Sequence, residues 1–179
     1  MRITQNVIFS IFLCFCVSLI CWAQEKQIIC TVEKAHTFSS PDHEDIFQLI
    51  LNGRDTLGGT IYFQIISHGG GILYREKFNS IDLIGYGLME TDEHKVSRKE
   101  QCDYIIKRMN SFFDKQNFKI PAISDSDSYD GSFTSKEIWR EIKSSTSAVG
   151  FYYLIGEENN RQIVYSKKSK KVVVYKSYD

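Results

Sequence analysis

Residues 46–78, IFQLILNGRDTLGGTIYFQIISHGGGILYREKF, decide the fold class of this chain. They contain three runs rich in β-branched and aromatic side chains, which is typical of strands, at residues 46–51, 60–66 and 72–78. The middle run alternates between apolar and more polar side chains, as a half-buried strand does. Asn52 and Gly53 separate the first two runs, and three glycines at 69–71 separate the last two. These breaks are too short for helical crossovers, so the segment predicts an antiparallel meander.

Further strands are predicted on both sides of this segment. One strand-like run, residues 28–32, precedes it. Three more lie near the C-terminus, at residues 150–155, 161–166 and 172–175. The connections between these last runs are about five residues long, which is normal for hairpins. The sequence therefore predicts a second antiparallel meander.

Two helices are predicted between the meanders. Residues 98–115 begin with the capping-box spacing of Ser97 and Glu100. Their apolar side chains recur every three or four residues, at Cys102, Ile105, Ile106, Met109, Phe112 and Phe113. A shorter helix is predicted at residues 136–143. We expect an α+β fold with one domain, residues 24–179, in which antiparallel β-meanders pack against one long and one short helix.

The N-terminus has the pattern of a secretory signal peptide, residues 1–23. Arg2 gives a positive start, residues 7–20 form an uncharged apolar run, and cleavage is expected before Gln24. The segment resembles signal peptides of exported Bacteroidetes proteins, which often end in Ala-Gln. We therefore expect a periplasmic or extracellular protein with no stable membrane anchor after cleavage. The alternatives are an uncleaved anchor, for which the run is short, and lipidation of Cys21, which the bulky residue before it disfavours.

The charge balance bears on the partners of the protein, and the cysteine content bears on whether it forms a disulfide. The chain has 22 basic and 22 acidic residues, and this balance argues against a nucleic acid as partner. After removal of the signal, only Cys30 and Cys102 remain. An oxidising compartment favours a disulfide between them, which would stabilise the fold by about 4 kcal/mol. The alternative is two buried free thiols.

An acidic segment, residues 125–137 with the sequence DSDSYDGSFTSKE, is the candidate metal site. If Gly131 takes the glycine position of a calcium-binding EF-hand loop, Asp130 and Glu137 fall on ligand positions. Asp125 and Asp127 are each one residue out of register. The sequence thus leaves open a calcium site formed by Asp125, Asp127, Asp130 and Glu137. The alternative is an acidic surface loop that leads into a helix capped by Thr134 or Ser135.

Other motifs have ordinary explanations. The sequence HGGG at residues 68–71 matches an esterase oxyanion loop in letters, but the chain lacks the G-x-S-x-G that accompanies it. His43 lies in a polar run with Asp42, Glu44 and Asp45, a weak candidate for a metal. No H-E-x-x-H, G-x-G-x-x-G or P-loop occurs, so no cofactor is expected. The lysines of residues 167–171 are expected to keep a hairpin tip soluble.

The absence of a catalytic motif favours a non-enzymatic function. We expect an exported domain that binds another protein, one concrete form being an immunity-type inhibitor of an exported toxin. Tyrosine is a common interface residue, and five lie near the C-terminus: Tyr152, Tyr153, Tyr165, Tyr175 and Tyr178. The alternatives are an envelope hydrolase with a site assembled from distant residues and a calcium-modulated ligand-binding module.

Overall fold

The first sheet of the protein is the predicted meander. The computed structural model describes residues 27–88, 95–156 and 159–178, so the signal segment 1–23 lies outside the described residues. Four antiparallel strands pair in chain order: β1 (Gln27–Thr37), β2 (Glu44–Gly53), β3 (Thr60–Ile66) and β4 (Ile72–Asn79). Alternate residues of β2 and β3 are buried, as their sequence pattern predicts.

The second sheet is also antiparallel and contains one strand that the sequence did not predict. Its strands, again in chain order, are β5 (Phe118–Lys119), β6 (Gly150–Ile155), β7 (Asn159–Ser166) and β8 (Lys171–Tyr178). β5 is only two residues long and pairs with the start of β6. A strand of this length has no periodicity that sequence analysis can recognise.

Both predicted helices are present. α1 (Arg98–Ser111) begins with the expected capping box, in which Ser97 and Glu100 bond each other's backbone N–H. α2 (Lys136–Ser144) has Ser135 as its N-cap. α1 ends earlier than predicted, because the amide of Asp114 turns back to the carbonyl oxygen of Ser111. None of the described helices is long and apolar enough to cross a membrane.

An aromatic core joins the two sheets and α1. Phe63 of β3 lies at its centre, with its ring 5.6 Å from Phe112 and 5.8 Å from Phe151 of β6. Other buried or partly buried rings of this core include Phe38, Phe47, Phe78, Phe113, Phe118 and Tyr153. Phe112 and Phe113 belong to it although they follow the end of α1. The described residues therefore have the predicted α+β architecture.

A smaller apolar cluster lies on the other face of the second sheet. Trp139 and Ile142 of α2 pack there against Val164 and Tyr175, together with Ala122 and Ile123. The second sheet is thus covered on both faces, by the aromatic core on one side and by α2 on the other. This arrangement places the segment before α2, residues 120–135, beside the second sheet.

Candidate functional site

Lysines surround Asp127, one of the four candidate calcium ligands. Its carboxylate lies 3.3 Å from the Nζ atoms of both Lys119 and Lys176, and it accepts hydrogen bonds from the hydroxyl and the amide of Ser124. Partial burial alone would raise the pKa of Asp127. The bonds from Ser124 and the two lysines outweigh burial and hold that pKa well below its usual range. Asp127 is therefore a charged partner for lysines.

The other three candidate ligands are separated from one another. Asp130 accepts a hydrogen bond from the amide of Ser132, and Glu137 lies in the first turn of α2. The carbonyl oxygens of Asp125 and Asp127 accept hydrogen bonds from Lys143 Nζ, at 3.1 and 3.2 Å. Within the described ranges, no group of three or more His, Cys, Asp or Glu side chains is arranged to hold a metal. Ser135 is the N-cap of the helix that follows the loop, as the alternative interpretation predicted, and calcium binding by the loop stays a prediction.

Calcium at millimolar concentration should leave the melting temperature of the protein unchanged. Calcium requires six to eight oxygen ligands, and here lysine ammonium groups occupy the carboxylate of Asp127 and two neighbouring carbonyls. Thermal melting with calcium and with a chelator measures this directly. A rise in melting temperature that disappears in the Asp130→Ala, Glu137→Ala double variant would establish a calcium site after all.

The two cysteines are separate thiols in the structure. Cys30 lies on β1 opposite Leu51 and packs against the aromatic core, and Cys102 lies in α1. Each is partly buried. The structure therefore contains two free thiols where the sequence favoured a disulfide, and Cys30 is held among apolar side chains.

The glycine-rich turn uses its amides internally. Gly70 has a φ of +82° and donates to the carbonyl oxygen of Ser67, and Gly71 donates to the Ser67 hydroxyl. These amides are therefore engaged within the β3–β4 hairpin, unlike those of an oxyanion loop. His68 stacks on His43 with ring centroids 4.4 Å apart.

A buried polar cluster connects the two sheets where they meet. Glu76 of β4 is only 14% exposed, and its carboxylate pairs with the Arg161 guanidinium of β7. The same carboxylate accepts hydrogen bonds from the hydroxyls of Tyr153, at 2.6 Å, and Tyr74, at 3.1 Å. These two hydroxyls also lie 2.8 Å apart. Burial raises the pKa of Tyr153 far above its usual value, and the nearby Tyr74 and Glu76 add to this effect.

The Glu76 cluster contains charged and acidic groups of the kind that catalysis requires, but these groups are bonded to one another. Both oxygens of Glu76 are bonded within the protein, and Tyr153 is 1% exposed. A general base needs a path to the proton that it removes. We therefore interpret the cluster as an electrostatic link between the sheets.

A shallow groove on the second sheet is the best candidate for a binding site. Its volume is about 520 Å³, and its lining residues are Gln116, Asn117, Phe118, Lys119, Ile120, Gly150, Tyr152, Gln162 and Tyr175. Ile120 is 60% exposed and Tyr152 is 39% exposed. We call this surface the Tyr152 groove. Its lining contains no His, Cys, Asp or Glu.

The polar groups of the Tyr152 groove are mainly side-chain amides. The Gln162 side chain lies 3.1 Å from the buried hydroxyl of Tyr175, which also donates to the carbonyl oxygen of Ala122 at 2.8 Å. Lys119 is the one charged residue of the lining, and Asp127 partly neutralises it. A nearly neutral groove with amides and exposed apolar side chains suits a peptide segment better than a charged ligand.

The five tyrosines highlighted by the sequence have different positions. Tyr152 is exposed, Tyr165 is half-buried, and Tyr153 and Tyr175 are fully buried. The side chain of Tyr178 lies outside the described part of the structure. Sequence analysis could not single out Tyr152, because alternation along β6 assigns Tyr152 and Tyr153 to opposite faces of the sheet but does not show which of these side chains stays exposed.

A smaller cavity of about 240 Å³ lies between α2 and the start of the β1–β2 loop. Its one lining carboxylate, Glu141, accepts hydrogen bonds from the Ser166 hydroxyl and the Lys167 amide and so fixes the lysine-rich β7–β8 turn.

Comparisons of the chain with models of protein families, with curated proteins and with solved structures found no match.

Proposed function

We propose that this protein is an exported, non-enzymatic domain that binds another protein through the Tyr152 groove. The export part of the proposal rests on the sequence of residues 1–23. The binding part rests on one observation: two large apolar side chains, Ile120 and Tyr152, are exposed beside a shallow groove whose lining contains no His, Cys, Asp or Glu.

The character of the groove supports a peptide segment of a partner protein as its ligand. Tyrosine and aliphatic side chains that lose exposure on binding contribute most of the binding energy in many interfaces. The amides of Gln116 and Gln162 are suited to bond a peptide backbone, and Ile120 and Tyr152 give the groove its exposed apolar surface. The partner should therefore insert an apolar side chain from a loop or an extended segment.

The described polar groups favour binding over catalysis. Asp127 of the acidic loop pairs with two lysines, the amides of the glycine-rich turn bond within the turn, and both oxygens of the Glu76 carboxylate are bonded. A catalytic site needs a nucleophile, base or metal that is free to reach a substrate. These groups instead stabilise the fold, which leaves the surface as the functional part.

Tyr152→Ala should weaken the binding of the partner by about 30-fold, because truncation of a central interface tyrosine costs about 2 kcal/mol. The test is affinity capture of the partner from the native envelope, followed by titration of that purified partner against wild type and variant. Tyr129→Ala is the matched control, since Tyr129 is 40% exposed but lies outside the groove.

Two results would contradict the proposal. One is a partner that binds wild type and Tyr152→Ala equally well. The other is turnover in a hydrolase screen that disappears on substitution of a single acidic residue such as Glu76. Melting temperatures of all variants show whether a loss of binding comes from a loss of fold.

A further inference from the structure

The outer face of the first sheet, the face turned away from the aromatic core, carries four rows of side chains that run across its strands. Each row takes one residue from each of β1, β2, β3 and β4. The rows are Ala35–Ile46–Ile66–Ile72, Glu33–Gln48–Gln64–Arg75, Thr31–Ile50–Tyr62–Lys77 and Ile28–Asn52–Thr60–Asn79. One apolar row, one polar row and two mixed rows therefore lie side by side.

The polar row is a directional hydrogen-bond ladder. Arg75 donates to Gln64 at 3.2 Å, the amide of Gln64 donates to Gln48, and the amide of Gln48 donates to Glu33. The ladder thus begins at a positive charge on β4 and ends at a negative charge on β1. These bonds orient both glutamine side chains before any partner arrives, which lowers the entropy cost of binding.

The apolar side chains of the outer face do not take part in either core. Ile46, Ile50, Tyr62 and Ile66 belong to neither apolar cluster of the described residues. Ile72, at the end of the apolar row, is 52% exposed, and Ile28 is 59% exposed. A sheet face with this much apolar surface and ordered polar groups has the composition of a protein interface.

We infer that the outer face binds the outer face of a second copy of this chain, about a twofold axis parallel to the strands. Such an axis places every row opposite itself and exchanges the two edges of the sheet. The apolar row then meets the apolar row. Glu33 of each copy lies opposite Arg75 of the other, so two complementary charge pairs form by symmetry.

The direction of the hydrogen-bond ladder, from Arg75 to Glu33, favours this axis over the other twofold axis in the plane of the sheet. A twofold axis perpendicular to the strands, also in the plane of the sheet, would place β1 over β1 and bring the two Glu33 side chains together.

Four strands about 4.8 Å apart and about 25 Å long cover roughly 500 Å² per copy. A dimer would bury about 1,000 Å² in total, so we expect dissociation in the micromolar range.

Charge reversal at the two ends of the ladder tests the dimer. Glu33→Lys alone places Lys opposite Arg75 in both contacts, and Arg75→Glu alone places Glu opposite Glu33. Each purified variant should therefore dimerise at least about tenfold more weakly than wild type. An equimolar mixture of the two variants should recover the association, because each heterodimer contact pairs Lys with Glu or Arg with Glu. Sedimentation velocity over a concentration series measures the association of each variant and of their mixture.

Further variants separate this interface from effects on the fold. Ile72→Lys should also abolish the dimer, and the Lys99→Glu, Asp103→Lys double variant, which reverses an exposed ion pair on α1, should dimerise like wild type. A wild-type protein that stays monomeric up to hundreds of micromolar would overturn the inference, as would single variants that dimerise normally. The outer face and the Tyr152 groove lie on different sheets, so failure of one test leaves the other unaffected.

Discussion

Replacing Glu76 by alanine should lower the free energy of unfolding by about 3 kcal/mol, because removal of one partner leaves a largely buried charge without compensation. Arg161 would lose its carboxylate, and the hydroxyl of Tyr153 would lose its acceptor inside the core. The loss is large because the Glu76 side chain is 14% exposed and connects the two sheets. Chemical denaturation followed by circular dichroism gives the value.

The matched control for Glu76→Ala is Asp103→Ala. Asp103 also pairs with a cation, Lys99, but both side chains are more than half exposed. Exposed ion pairs contribute little to stability, so this variant should unfold close to wild type. If Glu76→Ala destabilises the protein no more than Asp103→Ala does, the cluster does not link the sheets.

The protein should lose stability steeply above pH 10. Burial raises the pKa of Tyr153 and of Tyr175 in the folded state, whereas tyrosines of the unfolded chain titrate near pH 10. Below pH 10 both states keep these protons, and the stabilisation is complete. Above pH 10 the unfolded state alone loses them, so the free energy of unfolding falls by about 1.4 kcal/mol per pH unit for each buried tyrosine.

Single substitutions show which tyrosines cause the decrease in the free energy of unfolding above pH 10. Tyr153→Phe and Tyr175→Phe should each remove about 1.4 kcal/mol per pH unit from it, since each removes one proton that only the unfolded state releases. Tyr152→Phe is the control, because Tyr152 lies beside Tyr153 in β6 but faces outward. Denaturation midpoints measured between pH 9 and pH 11 give the dependence of stability on pH for each variant. An unchanged slope in Tyr153→Phe would show that its phenol is free to ionise in the folded protein.

The sequence predicted the elements of this fold well because the signals were local. Alternation along Thr60–Ile66 and the capping box at Ser97 each depend on a few neighbouring residues. The end of α1 was less predictable, since Phe112 and Phe113 are buried whether the chain continues as helix or turns. Strand β5 was missed because two residues carry no period.

The candidate sites were less accessible to sequence analysis because they depend on how distant segments pack. The spacing of acidic residues in the loop indicates a ligand set, and no local pattern predicts that Lys119 and Lys176 approach Asp127 from the second sheet. Alternation could place Glu76 on one face of a strand, yet its partner Arg161 lies in the other sheet. The Tyr152 groove likewise requires β5 and Ile120 to lie beside β6.

Site-specific photo-cross-linking tests the proposed function most directly. A benzophenone amino acid replaces Ile120 in one form of the protein and Phe133 in another, because both side chains are exposed but only Ile120 lines the groove. After irradiation in the native envelope, the form labelled at position 120 should give one discrete adduct with a partner protein. The form labelled at position 133 should not give that adduct. The same adducts from both positions, or none from position 120, would contradict a protein-binding function of the Tyr152 groove.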